Sequence, residues 1–300
     1  MAAVATHSAV APDSMGFEAG STDGQDGIRT VDAVMHYYDD PGDGSPPMPV
    51  RIGANTVTNE RPMVAVPKTI TDIRGREGDY NLDNCGFQFI KHETATACRE
   101  DGYHDEEIIK TEYFRECEQI LKDVTGATRA FVFDHRVRRG PSDWHKLGEN
   151  NASKRGPLHR AHVDQSYFGA ELAVRRDFPD EADELMKKRW QIINVWRPIK
   201  TIRKDPLAVA DSRSVPDADL VAARIIYPRE EKESWTILPG GSHRWYYLRE
   251  QRPDEVLLIK CFDSDEAVAR RAPHSAFVDP AHEGDEPRES IEARALVFHG

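Results

Sequence analysis

Five short apolar segments limit the fold more than any other feature of this chain: "RAFVFDHRV" (129–137), "QIINVWRPI" (191–199), "SWTILPG" (234–240), "EVLLIKCF" (255–262) and "SIEARALVF" (290–298). Each is rich in β-branched or aromatic residues and bounded by Pro, Gly or Asp, the pattern of strands that end in turns. Together they predict an antiparallel sandwich or jelly roll. One segment breaks the pattern. In "DEEIIKTEYFRECEQILKDV" (105–124), Ile109, Tyr113, Cys117 and Ile120 recur at three- and four-residue spacing before Gly126, which predicts an amphipathic helix supporting the sheet. A shorter helix is expected within "DFPDEADELMKKRW". The fold class expected is α+β and β-rich, with helices packed outside a β core.

The first 27 residues, "MAAVATHSAVAPDSMGFEAGSTDGQDG", are small, polar and Gly-rich, and read as a disordered tail rather than a secretory signal. No linker interrupts residues 28–300, which are expected to form a single domain large enough for a full core. The proline-rich "DPGDGSPP" (40–47) reads as an extended arm. With 31% charged residues and a formal charge of −12, the chain repels phosphate backbones. Its basic runs "RVRRG" and "MKKRW" are short and lie among acids, so neither nucleic acid nor a membrane surface is an expected partner. A small-molecule substrate and a cytoplasmic location are expected, with a homodimer as one option for assembly. The four cysteines form no C-x-x-C pair, which suits structural thiols in a reducing compartment.

The stretch "HRAHVDQSYFGA" (159–170) carries a His-x-Asp. On a strand, residues two apart share a face, so His162 and Asp164 project together and can grip one ion. Alone they also suit a surface-strand pair. The same spacing at His104 and Glu106 opens the expected helix, where residues two apart diverge, and is set aside. A facial triad for non-haem iron needs a second, distal histidine. His243, His274, His282 and His299 are the candidates downstream. His274 stands out because Arg288 and Ser290 follow it in "PRESIEARALVF". A guanidinium that forks onto a carboxylate, with a hydroxyl on the same strand face, is a sound anchor for a dicarboxylate. Arg294 shares that face and is the fallback anchor, or the partner of Glu292.

The motifs "HVDQS", "NVWRP", "DPLAVADSRSV", "PGGSHRWYYLREQRPDEVLLIKCFDS", "APHSAF" and "PRESIEARALVF", in that order, resemble the fungal asaB hydroxylase/desaturase family. The cephamycin-methoxylation oxygenase and gibberellin desaturase-like proteins look similar. The resemblance runs from "VDAVMHYYDDPGDGSPP" to the end of the chain. It implies a double-stranded β-helix (jelly roll, cupin-like) that uses Fe(II), 2-oxoglutarate and O2 to hydroxylate, desaturate or form endoperoxides on a specialised metabolite. Position by position it makes His162, Asp164 and His274 the catalytic iron ligands, and Arg288 with Ser290 the co-substrate anchor. The polar segment 138–158 is a candidate lid, and "DNCGFQFIKHE" (83–93) and Trp196 are candidate walls. His243 reads as a supporting loop histidine. Two rival classes remain: a zinc-dependent hydrolase or isomerase on the same three ligands, and a non-catalytic metabolite-binding subunit.

Overall fold

Alternation along the strand Ser290–Phe298 sends Ile291, Ala293, Ala295 and Val297 to one face and Ser290, Glu292, Arg294, Leu296 and Phe298 to the other. Both faces are covered. The first set packs against Tyr113, Cys117, Ile120 and Leu121 of a helix, while Leu296 and Phe298 enter the apolar core between two sheets. These contacts come from a computed structural model that describes residues 20–23 and 27–300.

The smaller sheet is fully antiparallel, in the order Phe87–Lys91, Glu255–Asp263, Trp190–Pro198, Ser290–Phe298, Arg129–Arg138. All five expected strands are present, four of them here and the fifth as Glu231–Ile237. Among the described residues the larger sheet has eleven strands and holds at its centre Leu207–Ala210, His274–Ala276, His162–Val163 and Glu231–Ile237. Strands Arg29–Tyr38 and Met63–Asp72, outside the five apolar segments, extend that sheet toward one edge. The fold is thus β-rich with two large sheets and few helices, as expected.

The expected helix begins at Asp105, whose carboxylate accepts from the amides of Glu107 and Ile108, and ends at Gly126 with φ +69°. Its second segment, Ile109–Tyr113, is a π-turn that period-3.6 spacing does not reveal. Two expectations need correction. The strand on which His162 and Asp164 would share a face is only His162–Val163 and stops short of Asp164, because Ser166 caps an unanticipated helix, Tyr167–Asp177, by accepting from Gly169 N at 2.8 Å. In the expected tail, Gly20–Asp23 instead pairs with Arg29–Asp32 as an edge strand, since its backbone finds a free ladder there. Residues 1–19 and 24–26 of that tail lie outside the described residues. The expected short helix is a single turn, Ala182–Leu185, and 40–47 is an irregular loop.

Candidate metal centre and its cavity

His162 and His274 sit directly opposite each other on neighbouring strands, and their rings lie 4.4 Å apart between centroids. Asp164 follows two residues after His162, with Oδ1 3.4 Å from His162 Nε2. One ligand atom from each of the three residues falls within 4.8 Å of the others. Among the described residues this is the group of acidic, His or Cys side chains that converges this tightly.

The remaining donor atoms are already engaged. His162 Nδ1 meets the Arg160 carbonyl at 2.8 Å and His274 Nδ1 meets the Ala272 carbonyl at 3.2 Å. A carbonyl only accepts, so both Nδ1 atoms carry the proton and both Nε2 lone pairs are left to a ligand. Asp164 Oδ2 accepts from Arg294 Nε at 2.8 Å and from Asn194 Nδ2 at 2.7 Å, which leaves Oδ1 on the histidine side. Burial would raise the Asp164 carboxyl, yet Arg294 and the contact with His162 hold it well below the usual range. Burial, and next the charge of His162, push His274 down to about 3, so it is neutral at physiological pH. Two imidazoles that each offer Nε2 and one carboxylate are the donor set of a facial triad.

Arg294 does not stand free. Besides Asp164 it binds Asp134 at 2.9 Å and Glu292, so three carboxylates surround it. Burial works against its charge, but Asp164, Glu292 and Asp134 raise its proton affinity well above the usual value. Arg288 is different. It is buried, it donates from one amino group to the Asp205 carbonyl at 2.8 Å, and its guanidinium faces the Trp196 ring at 5.5 Å. Its Nε and the Oγ of Ser290 are buried without a partner. Burial, and then the nearby Arg138, pull Arg288 down to about 9. A buried guanidinium with an unpaired Nε and no carboxylate against it, beside an unpaired hydroxyl, is an environment that a carboxylate would complete.

Beside the triad lies a cavity of about 490 Å³ that reaches His162, Asp164 and Arg294. The segment 138–158 contributes Arg138, Trp144, His145, Arg155 and Leu158 to its wall. That segment is pinned at its base by Arg139 N and Gly140 N, which donate to the Arg155 carbonyl. The expected wall 83–93 lies elsewhere: Phe87 and Phe89 pack with Trp196 in a separate apolar core. Trp196 therefore points inward, while Arg197 turns outward to Tyr113, His92 and Glu116. His243 is buried against Asp219 and Tyr37, away from the triad. His104 and Glu106 sit at the outer helix. Asn194 was missed, although it lies in "NVWRP" two residues before Trp196 and so shares its face. All four cysteines are free and buried, and burial together with Asp164 pushes the Cys261 thiol well up, which leaves it unreactive.

The family described as oxidoreductase/YMDC permease-like domain matches residues 35–298. The hydroxylase/desaturase efuI of Hormonema carpetanum is 36% identical over 90% of this chain and 95% of its own. The alpha-ketoglutarate-dependent dioxygenase tstK of Talaromyces stipitatus is 32% identical, covering 90% and 98%. This chain belongs to the asaB hydroxylase/desaturase family. A solved structure of the iron and alpha-ketoglutarate-dependent endoperoxidase NvfI aligns with a TM-score of 0.80 at 25% identity, over 90% of this chain and 98% of that one. As a member of the hydroxylase/desaturase family the protein is an oxidoreductase, and the family resemblance read from its motifs holds over nearly the whole chain.

Proposed function

We propose that the protein is an Fe(II)- and 2-oxoglutarate-dependent dioxygenase whose iron is held by His162 Nε2, Asp164 Oδ1 and His274 Nε2. The observation that carries this reading is the engagement of every other donor atom of the triad, which leaves three free donors facing one point. The bound iron supplies activation of O2 for attack on an unactivated C–H bond, with 2-oxoglutarate as the two-electron co-substrate. Hydroxylation, desaturation and endoperoxide formation all fall within that chemistry.

The residues of this chain position and exclude. Arg294 and Asn194 orient Asp164, and the two backbone carbonyls fix the imidazole tautomers. Arg288 and Ser290 are assigned the far carboxylate of 2-oxoglutarate, because Arg288 Nε and Ser290 Oγ lack partners that an anion would supply. Arg294, saturated by carboxylates, is assigned to the metal ligand rather than to the co-substrate. A small specialised metabolite occupies the 490 Å³ cavity, under the segment 138–158 as a lid. In this reading the two sheets form a double-stranded β-helix, residues 28–300 act as one catalytic domain, and the enzyme works in the cytoplasm. Among the described residues no helix is long and apolar enough to cross a membrane. Size-exclusion chromatography with light scattering decides whether it is a homodimer.

A zinc hydrolase would use the same three ligands but has no role for Arg288 and Ser290. Anaerobic loading with Fe(II) followed by 2-oxoglutarate is expected to give a weak visible charge-transfer band that His162→Ala abolishes. No band in the folded wild-type protein would overturn the assignment.

A further inference from the structure

We infer that the cavity beside the triad is built for an organic substrate bearing a carboxylate, which Arg155 anchors with Arg138 alongside. The inference rests on the reading of this cavity as the substrate site. Nine cationic side chains line it against five carboxylates, in a chain whose formal charge is −12. The five acids are already engaged: Asp164 and Asp134 with Arg294, Glu230 with Arg176 and Lys232, Glu231 with Arg224, and Glu233 with Ser166. Among the described residues no carboxylate lies within 4.0 Å of Arg61, Arg138, Arg155 or Arg160.

These cations do not all have the same freedom. Arg61 and Arg160 spend their donors on backbone carbonyls of Met48, Arg224, Arg61 and Asn59. Arg138 has one bond, from an amino group to the Gly156 carbonyl at 3.0 Å. Arg155 has no side-chain bond within the described residues, and its Nε is buried without a partner. Burial, and then Arg136 and Arg138, pull its guanidinium down to about 10, the cost of gathering unpaired cations. An anion brought by the ligand would relieve that repulsion and complete the bonds. Val50, Ile52, Val57 and Met63 supply an apolar wall in the same cavity, which suits a hydrophobic skeleton with one acidic group.

Arg138 also stands opposite Ser290 across the sheet, so the carboxylate these arginines hold has two sources, the substrate or 2-oxoglutarate. Calorimetry on protein loaded anaerobically with Fe(II) and 2-oxoglutarate separates them, with decanoate and 1-naphthoate as probes beside decanol and 1-naphthalenemethanol. Each acid is expected to bind at least about tenfold more tightly than its alcohol. Arg155→Gln should bring that preference within about twofold and Arg155→Lys should retain most of it, while titration of the charge-transfer band shows unchanged 2-oxoglutarate affinity. Should Arg155→Gln fail to fold, Arg138→Gln is read in the same way. Acids that bind no better than alcohols, including no binding by either, overturn the inference. So does a variant that weakens 2-oxoglutarate but keeps the acid preference. Absence of the band in the wild type is a different result, and strikes the iron assignment instead.

Discussion

Arg294 donates from Nε to Asp164 Oδ2 at 2.8 Å, across 130 positions of sequence, and thereby decides which oxygen of that carboxylate is left for a metal. The Asn194 amide reaches the same oxygen at 2.7 Å. Outer contacts of this kind typically change metal affinity by about 10- to 100-fold. Asn194→Ala is therefore expected to weaken Fe(II) binding roughly tenfold, and Arg294→Ala more, as read by anaerobic metal titration with circular dichroism to confirm folding.

The roles proposed for Arg288 and Ser290 separate co-substrate binding from metal binding. Removal of a buried charge-assisted pair costs about 2–5 kcal/mol, so Arg288→Ala should raise the Kd for 2-oxoglutarate by about 30-fold or more. Ser290→Ala removes a single hydrogen bond worth about 1 kcal/mol, roughly fivefold. Fe(II) affinity measured without 2-oxoglutarate should stay as in the wild type. Unchanged 2-oxoglutarate affinity in both variants would move the anchor to another group.

Asn151 latches the segment 138–158 to the large sheet. Its carbonyl accepts from Val57 N at 2.7 Å and its amide donates to Val57 O at 2.9 Å, both buried. Asn151→Ala leaves two backbone groups unpaired, a loss of about 1–3 kcal/mol. Hydrogen exchange across 141–155 is expected to speed up while the strand Ser290–Phe298 keeps its protection.

Gly169 lies in the helix that follows the triad, where alanine would ordinarily favour helix by about 1 kcal/mol. Here a Cβ would stand 2.1 Å from the Glu233 carbonyl, on the strand beside His162. The clash wins. Gly169→Ala is expected to destabilise by about 1–3 kcal/mol and to lower both Tm and iron affinity.

Glu255 is buried at the head of its strand with Arg74, Lys91 and the Arg252 amide on its oxygens. Burial alone would raise its carboxyl, but Arg74, Arg252 and Lys91 bring it down to about 2. A folded value below the unfolded one means that its contribution is present above about pH 4.5 and is lost as pH falls toward 2. Denaturant unfolding should show that decline, and Glu255→Gln should flatten it by roughly 2 kcal/mol between pH 5 and 3.

Local spacing was enough to pick out much of this protein. Period-2 alternation placed Ser290, Glu292 and Arg294 on one face, and period-3.6 spacing placed Ile109, Tyr113 and Cys117 on the buried side of one helix. The motif order around His162, Asp164 and His274 pointed to the family. These patterns are readable because each depends on residues a few positions apart. Pairing of Arg294 with Glu292, two residues away on the same face, was one of the options local spacing offered, but its other two partners were not readable: Asp134 comes from the neighbouring strand and Asp164 from the facing sheet, and no local rule sets that register or packing. Arg294 and the proposed anchor Arg288 look alike in sequence, and differ in the fold because one guanidinium meets three carboxylates and the other meets none. The strand that carries His162 is only two residues long for a similar reason, since the Ser166 cap and the packing of the next helix on Glu233 outweighed local extension. The arginine-rich cavity draws its residues from distant segments, so only the folded chain brings those charges close enough to repel one another and to favour an anion.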